Sequence, residues 1–222
     1  MSSNAAVTAI NSEHTGSVSG IDAGVLSEIY DPAINLVRWR RHLNLPVRSY
    51  LETLRRSPPL LQSLQGVMAT NNIRDWLTTR LPAHCGQAAL VADIVELSDM
   101  FSLLFDLEKV GLRLTLLEDS MCPRFHVDHV PCRLLTTYTG AATEWLPNTF
   151  VDRSRLGTGN RGLADSQSGL YHSSRHIHRM ETGDVALLKG ESWLGNEGNG
   201  LVHRSPASGK GELRLLLSID FS

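Results

Sequence analysis

The stretch Phe125-His126-Val127-Asp128 is the strongest structural signal in this chain, and its counterpart is Leu201-Val202-His203-Arg204-Ser205-Pro206. Residues i and i+2 of a β-strand point to the same side, so His126 and Asp128 can reach one ion together. His203 would complete the ligand set from a second strand of a rolled sheet. Two imidazoles and one carboxylate are the ligands of a facial-triad site for non-haem iron. We therefore predict a metal site at His126, Asp128 and His203.

Polar side chains in two further predicted strands are candidates for the rest of the pocket. One face of the last strand carries Arg214, Leu216, Ser218 and Asp220. Arg214 can therefore project inward, where a planar guanidinium suits bidentate binding of a carboxylate on an acidic co-substrate. The alternative for Arg214 is a surface position on an edge strand. Arg133 and Tyr138 follow the His-x-Asp motif in another strand and are predicted to face the cavity.

The composition is that of an ordinary globular protein. Of 222 residues, 41% are hydrophobic and 20% are charged. The net charge of −2 gives no reason to expect a nucleic-acid partner. No apolar run reaches the ~18 residues of a membrane span, and the N-terminus lacks the features of a secretory signal. The odd cysteine count (Cys85, Cys122 and Cys132) does not suggest a disulfide framework. We expect a cytoplasmic protein that binds neither nucleic acid nor membrane.

The first half of the chain carries helix signals. Residues 1–25 have no sustained periodicity and are predicted to form a flexible leader. The predicted helices cover residues 33–43, 60–68, 73–81 and 86–108. The first begins at Asp31-Pro32, an N-cap followed by proline in the first turn. In the last and strongest, apolar side chains recur at three- and four-residue steps.

After Gly111 the apolar pattern changes from helical to alternating. The predicted strands cover residues 112–117, 125–128, 133–139, 185–189 and 213–221. Helices followed by short strands indicate an α+β protein, with an N-terminal helical layer packed on a β-sandwich or barrel. We therefore divide the chain into a leader (1–25), a helical region (26–110) and a metal-binding region (111–222), the last two forming one integrated domain.

Three other residues near the motif are potential ligands, so the identity of the metal stays undetermined. Cys122 and Cys132 flank it, and thiolate ligands favour zinc over iron. His129 follows Asp128, but neighbouring residues of a strand face opposite sides, so the two are not expected to share an ion. A further alternative is that His126 is a buried, hydrogen-bonded histidine and that the cysteines are small core residues.

Weaker candidates lie elsewhere. His176 and His178 fall on one face of a predicted strand, where they are either a second metal site or a solvated polar face near the pocket mouth. The glycine-rich segment 156–169 is predicted to be a flexible lid. The basic run 38–42 falls on a predicted helix, and nucleic-acid binding would need a wider basic surface.

The motifs together resemble the iron(II)- and 2-oxoglutarate-dependent oxygenase superfamily, especially its prolyl-hydroxylase-like branch. The resemblance covers roughly residues 111–221 and is carried by His126-x-Asp128, Arg133-x-x-Thr136, Gly183-Asp184-Val185, His203 and Arg214. It implies a double-stranded β-helix, jelly-roll or cupin-like, preceded by helices. It also implies that Fe(II) is held by the triad and that Arg214 pairs with the distal carboxylate of 2-oxoglutarate.

A closer resemblance is to a bacterial family, domain-of-unknown-function family 1826. It is carried by residues 125–133, 188–191 and 202–206. Genes of that family are often found beside zinc-responsive metallochaperone genes, which implies a link to metal scarcity. The family has no established activity to carry over.

These observations predict an iron(II)- and 2-oxoglutarate-dependent oxygenase that oxidises a C–H bond of an unidentified small-molecule or protein substrate. The alternative is a non-catalytic zinc-binding or metal-homeostasis protein, in which Cys122 or Cys132 completes a closed site with the same histidines. A third interpretation is a cupin-like metal hydrolase or isomerase that uses metal-bound water. The sequence does not determine the oligomeric state.

Overall fold

The computed structural model describes residues 16–56, 63–117, 122–207 and 212–222. Its helices are α1 Leu45–Arg56, α2 Ile73–Thr78 and α3 Gln87–Phe105, with a 3₁₀ helix at Ala23–Tyr30. Its strands are β1 Ser17–Gly20, β2 Leu36–Trp39, β3 Leu64–Met68, β4 Val110–Leu117, β5 Cys132–Thr139, β6 Glu144–Leu146, β7 His178–Arg179, β8 Val185–Lys189, β9 Val202–Arg204 and β10 Arg214–Phe221.

The strands form two sheets. The larger has seven strands in the order β1-β2-β8-β5-β10-β4-β3, and the smaller has three in the order β7-β6-β9. The predicted strands at 112–117, 133–139, 185–189 and 213–221 are confirmed as β4, β5, β8 and β10. The predicted strand at 125–128 is wrong, because only His126 pairs there, in an isolated bridge to His203.

Both faces of the larger sheet are covered, which is why its central strands are nearly all apolar. On one face, Leu134 and Leu217 belong to the same buried cluster as Ile94 of α3. On the other face, Leu135 and Trp145 share a second cluster, and Trp145 comes from the smaller sheet. Alternate residues of β5 therefore serve two different cores.

Helix α3 is the element that the sequence predicted best. Its buried residues are Leu90, Val91, Ile94, Leu97, Ser98 and Phe101. Gly86 precedes it with a φ of +90°, and a Cβ there would lie 2.4 Å from the carbonyl oxygen of Pro46. Only glycine suits that turn, because a side chain would be strained and would collide with backbone. The predicted helix 73–81 is confirmed over α2.

Two predicted helices are strands in the structure. Residues 33–43 contain β2, which pairs with β1 and β8, and residues 64–68 of the predicted helix 60–68 form β3, while 60–62 lie outside the described residues. The capping signal at Asp31 is real but makes only a turn, in which its carboxylate accepts a hydrogen bond from Ala33 N. Leu36 and Val37 then belong to different buried clusters, which a strand between two cores can satisfy.

The N-terminal part is not a purely helical layer. It contributes β1, β2 and β3 to the same sheet as β4, β5, β8 and β10. The predicted division of the chain between residues 110 and 111 therefore does not separate a helical layer from the sheet. Residues 16–25 of the predicted leader contain β1, so that part of the prediction is wrong, and residues 1–15 lie outside the described residues. The coarse fold class, a mixed protein with helices packed on large sheets, is confirmed. Within the described segments, no helix has both the length and the hydropathy to span a membrane.

Candidate functional site

The structure brings His126, Asp128 and His203 together at one end of the space between the sheets. One potential ligand atom from each lies within 4.8 Å of the other two. The Nε2 atom of His126 is 3.7 Å from Oδ1 of Asp128, and that of His203 is 3.4 Å from Oδ2. Of the described residues, these three form the one cluster that meets this criterion.

Backbone hydrogen bonds hold the two histidines side by side. His126 and His203 exchange two N–H···O bonds of 3.0 Å each, although they lie far apart in sequence. The buried carboxylate of Asp165 accepts a hydrogen bond from Phe125 N, directly before His126. Gly190 allows a close approach on the other side, because a Cβ there would lie 2.0 Å from the carbonyl oxygen of Val130. The chain path is therefore fixed on both sides of the motif.

The hydrogen bonds of the imidazoles leave both Nε2 atoms available to a metal. Nδ1 of His126 lies 3.0 Å from the carbonyl oxygen of Arg124, and Nδ1 of His203 lies 3.1 Å from that of Leu201. A nitrogen beside a carbonyl oxygen donates a proton to it, so the lone pair of each ring is on Nε2, facing Asp128. Burial, together with the neighbouring His203, lowers the pKa of His126 and favours its neutral form.

Asp128 is held by an arginine on the neighbouring strand. Nη1 of Arg133 donates to Oδ2 of Asp128 at 2.7 Å. Arg133 is itself held by both carboxylate oxygens of Asp220, at 2.6 and 3.0 Å. Burial alone would raise the pKa of Asp128, but the surrounding side chains of His203, Arg133 and His126 hold it below its usual value. The carboxylate is therefore ionised and oriented.

Arg214 lies on the same cleft and is almost completely buried, with 3% of its surface exposed. Its guanidinium donates to the hydroxyl groups of Ser205, Thr143 and Thr137, at 3.0, 2.8 and 3.4 Å. No carboxylate among the described residues pairs with it, and its Nε atom is buried without a partner. Desolvation lowers the pKa of Arg214 to about 10. In the described part of the chain, the pocket therefore contains a cation without a carboxylate partner.

The chain segment from His203 to Ser205 connects the triad to Arg214. Ser205, which binds Arg214, lies two residues after His203. Two residues of extended chain span roughly 6.6–6.8 Å. A molecule that reached from the triad to Arg214 would therefore be a short chain with an acidic end.

Tyr138 does not face this cavity, so that prediction is wrong. It points to the opposite face of β5, where it is 1% exposed and donates a hydrogen bond of 2.5 Å to Asp93 of α3. Arg133 does line the cleft, but its guanidinium is engaged by Asp128 and Asp220. The alternation along β5 explains the difference, because residues 133 and 138 are an odd number of positions apart.

The cysteines and the remaining histidines contribute little to the triad. Cys132 is fully buried in the core on the helical face, where burial raises its thiol pKa. Cys122 lines the cleft, but it is outside the cluster of ligand atoms. His129 is exposed. His176 stacks on Phe150 with 3.9 Å between ring centroids, and among the described residues neither it nor His178 belongs to the cluster of potential metal ligands.

Sequence reasoning missed the residues that support the site. Asp220 was placed on the correct face of its strand, but nothing local shows that Arg133 lies opposite it. Thr137, Thr143 and Ser205 carry hydroxyl groups that occur widely in proteins. Asp165 lies in the predicted lid 156–169, yet it is buried and contacts Phe125 and Arg204. No local sequence signal identifies these partners, because each contact joins segments that are distant along the chain.

Comparisons with known proteins identify a family and a similar fold. A family model described as "Protein of unknown function (DUF1826)" matches residues 20–220. Among curated proteins, none matches the sequence. The structure is similar to a dioxygenase for auxin oxidation from rice, with a TM-score of 0.54 and 12% identity over 93% of this chain and 82% of the other.

Two further structures are more distant. Dioxygenase for auxin oxidation 1 from Arabidopsis thaliana, in a complex with 2-oxoglutarate, has a TM-score of 0.48 and 10% identity over 93% of this chain and 91% of its own. A Pseudomonas putida prolyl-4-hydroxylase has a TM-score of 0.44 and 14% identity over 90% of this chain and 97% of its own. The likeness to the rice protein concerns the fold: the two sheets of this chain are arranged as in that dioxygenase.

Proposed function

The chain belongs to the family of proteins of unknown function DUF1826, whose model matches residues 20–220. We propose that it is an iron(II)- and 2-oxoglutarate-dependent oxygenase. The observation that carries the proposal is the pairing of two features in one cleft. A His-Asp-His cluster with free Nε2 atoms stands beside a buried arginine that pairs with none of the described carboxylates. The first feature suits a metal and the second suits an acidic co-substrate.

His126, Asp128 and His203 would hold the iron. Two neutral imidazoles and one carboxylate match the ligand preference of non-haem Fe(II) and leave other coordination positions open. Both histidines are oriented by carbonyl oxygens and Asp128 by Arg133, which are the outer contacts that fix metal ligands. When bound, the iron would support reduction of dioxygen by four electrons, two from 2-oxoglutarate, which would be converted to succinate and CO2, and two from the C–H bond of the substrate.

Arg214 would bind the distal carboxylate of 2-oxoglutarate. The three hydroxyl groups around it orient the guanidinium without neutralising it, so its charge remains available. A short diacid could bridge the triad and Arg214, because Ser205, which accepts a hydrogen bond from Arg214, lies two residues after His203. Leu135 and Leu216 also line the cleft and give it an apolar wall.

A zinc-binding protein remains the alternative, and Cys122 is the feature that favours it. It lines the same cleft as His126 and His203, and a thiolate would favour zinc. Cys132 cannot take part, because it is buried in the core on the other face of β5. In this alternative the metal would be bound with a closed coordination shell and no 2-oxoglutarate.

The test is anaerobic addition of Fe(II) and 2-oxoglutarate, followed by visible absorption. We expect a charge-transfer band in the wild type and in Cys122→Ser. We expect no band in Arg214→Met at the same co-substrate concentration, because the carboxylate loses its cation. Absence of the band from wild-type protein with iron bound would exclude 2-oxoglutarate. If zinc copurified with the wild-type protein but not with Cys122→Ser, the zinc-binding alternative would be favoured.

A further inference from the structure

A second cavity lies beside the metal cleft on the larger sheet. It is a groove of about 400 Å³ between β3, β4 and β10, and no residue of the smaller sheet lines it. Its walls are formed by Gln65, Gly66, Val67, Gly111, Leu112, Arg113, Asp220 and Phe221. Ligand-binding pockets for small molecules have volumes of roughly 300–1,000 Å³. The groove is therefore large enough for a small organic molecule.

Arg113 joins this groove to the metal cleft. Of the residues that the structure describes, it is the one that lines both cavities. It lies in register with Ser218 of β10, which lines the cleft, and with Gln65 of β3, which lines the groove. A molecule bound in the groove can therefore contact Arg113 and extend toward His126 and His203.

Among the described residues, the carboxylates around the junction are paired with other arginines and not with Arg113. Arg133 is paired with Asp128 and Asp220, and Arg204 is paired with Glu144 and Asp165. Arg214 is the cation assigned to the co-substrate.

Asp220 lines the groove, but both of its oxygens accept hydrogen bonds from Arg133. Among the described ion pairs, none includes Arg113. The guanidinium of Arg113 is therefore available to an anionic ligand at the place where the two cavities meet.

We propose that the groove binds the primary substrate and that this substrate is a small organic anion whose carboxylate or phosphate pairs with Arg113. This inference rests on the proposed function and adds the substrate class to it. A guanidinium binds either group through paired hydrogen bonds. The amide of Gln65, which is exposed in the groove, adds a neutral donor and acceptor for the rest of the molecule.

The experiment measures fragment binding by the line broadening that bound Mn(II) causes in ligand proton spectra. Protein is loaded with Mn(II) and saturated with 2-oxoglutarate, so that Arg214 is occupied. The probes are benzoate, phenyl phosphate, benzamide and benzylamine, which share a ring but differ in charge. The variants are Arg113→Gln, Arg113→Lys and Arg48→Gln, the last an exposed arginine on α1.

We expect the two anions to bind and the neutral and cationic fragments not to bind. Arg113→Gln should weaken binding of the anions roughly fivefold or more, Arg113→Lys should retain part of it, and Arg48→Gln should not change it. Equal binding of all four probes, no binding of any, or anion binding unchanged in Arg113→Gln would overturn the inference. Broadening of 2-oxoglutarate itself tests the proposed function separately, so the two failures are distinguishable.

Discussion

Arg214 keeps a positive charge inside the protein with hydroxyl groups as its only described hydrogen-bond partners. Its pKa is lowered to about 10 by desolvation, whereas an exposed arginine titrates above 12. The unfolded chain therefore binds the proton more tightly than the folded one. The charged form destabilises the native state at every pH below about 10, and the cost is relieved only as the pH rises above that value.

We expect Arg214→Met to abolish the thermal stabilisation that 2-oxoglutarate gives to metal-loaded protein. The ligand-free variant should be no less stable than the wild type, because removal of the buried charge offsets the loss of hydrogen bonds to the three hydroxyl groups. Differential scanning calorimetry with and without co-substrate checks both statements. A variant that 2-oxoglutarate still stabilises to the same extent would contradict the role given to Arg214.

In the proposed metal site, Arg133 and Asp220 would act on the ion through Asp128. Loss of an outer contact to a metal ligand typically lowers metal affinity about 10–100-fold. We expect Arg133→Gln and Asp220→Asn to weaken binding of Mn(II) within that range, since Asp128 would lose the guanidinium that orients it.

Titration calorimetry measures the affinities. Arg133→Lys should recover part of the loss, and Arg74→Gln, a change on the exposed face of α2, is the control. Unchanged affinity in both cleft variants would show that Asp128 is positioned by its own backbone alone.

At the level of the element, β5 divides its side chains between two tasks. Arg133 and Thr137 face the cleft, whereas Cys132, Leu134 and Tyr138 face the helical core. A strand covered on both faces makes this division by alternation alone. Substitutions at neighbouring positions of one strand should therefore affect different properties of the protein.

We expect Tyr138→Phe to lower the free energy of unfolding by about 1–3 kcal/mol, because the carboxylate of Asp93 would lose a buried hydrogen bond. Binding of metal and 2-oxoglutarate should be unchanged, since Tyr138 lies on the other face of the sheet. Urea denaturation measures the stability and calorimetry the binding. Weaker co-substrate binding in a variant of normal stability would mean that this side chain does reach the cleft.

At the level of the whole molecule, the site joins the two sheets. Arg214 belongs to β10 of the larger sheet, while His203 and Thr143 lie on or next to β9 and β6 of the smaller one. A metal and a co-substrate bound between them would stabilise the folded state, because the unfolded chain has no such site. Each ligand contributes RT ln(1 + [L]/Kd) to the stability.

At a 2-oxoglutarate concentration of 100 Kd, this contribution is about 2.7 kcal/mol. For a chain of this length it corresponds to a rise in Tm of roughly 5–10 °C above the metal-loaded protein. Scanning fluorimetry across a concentration series checks the logarithmic dependence. If succinate, which lacks the keto group, produced the same rise, binding at Arg214 alone would account for it.

The sequence predicted the parts of the fold and site that depend on local pattern. Helix α3 followed from the spacing of Leu90, Ile94 and Leu97, and β10 from its alternation. The convergence of His126, Asp128 and His203 was predicted from their chemistry and order. That they bind iron stays a prediction. The local pattern predicts a helix where β2 lies, because Asp31 resembles a helix N-cap, but only a turn forms there.

By itself, the sequence determined the chemical character of the ligand set, the alternating strands and the main helix, because these properties repeat over a few neighbouring residues. Only the tertiary structure decided which partners meet: Arg133 with Asp220, Arg214 with three hydroxyl groups, Tyr138 with Asp93. It also decided that β2 and β3 are strands, since their pairing lies with strands far along the chain. Contacts of that kind depend on burial between two cores. A short segment of sequence does not show how far a residue is buried by residues that are distant along the chain.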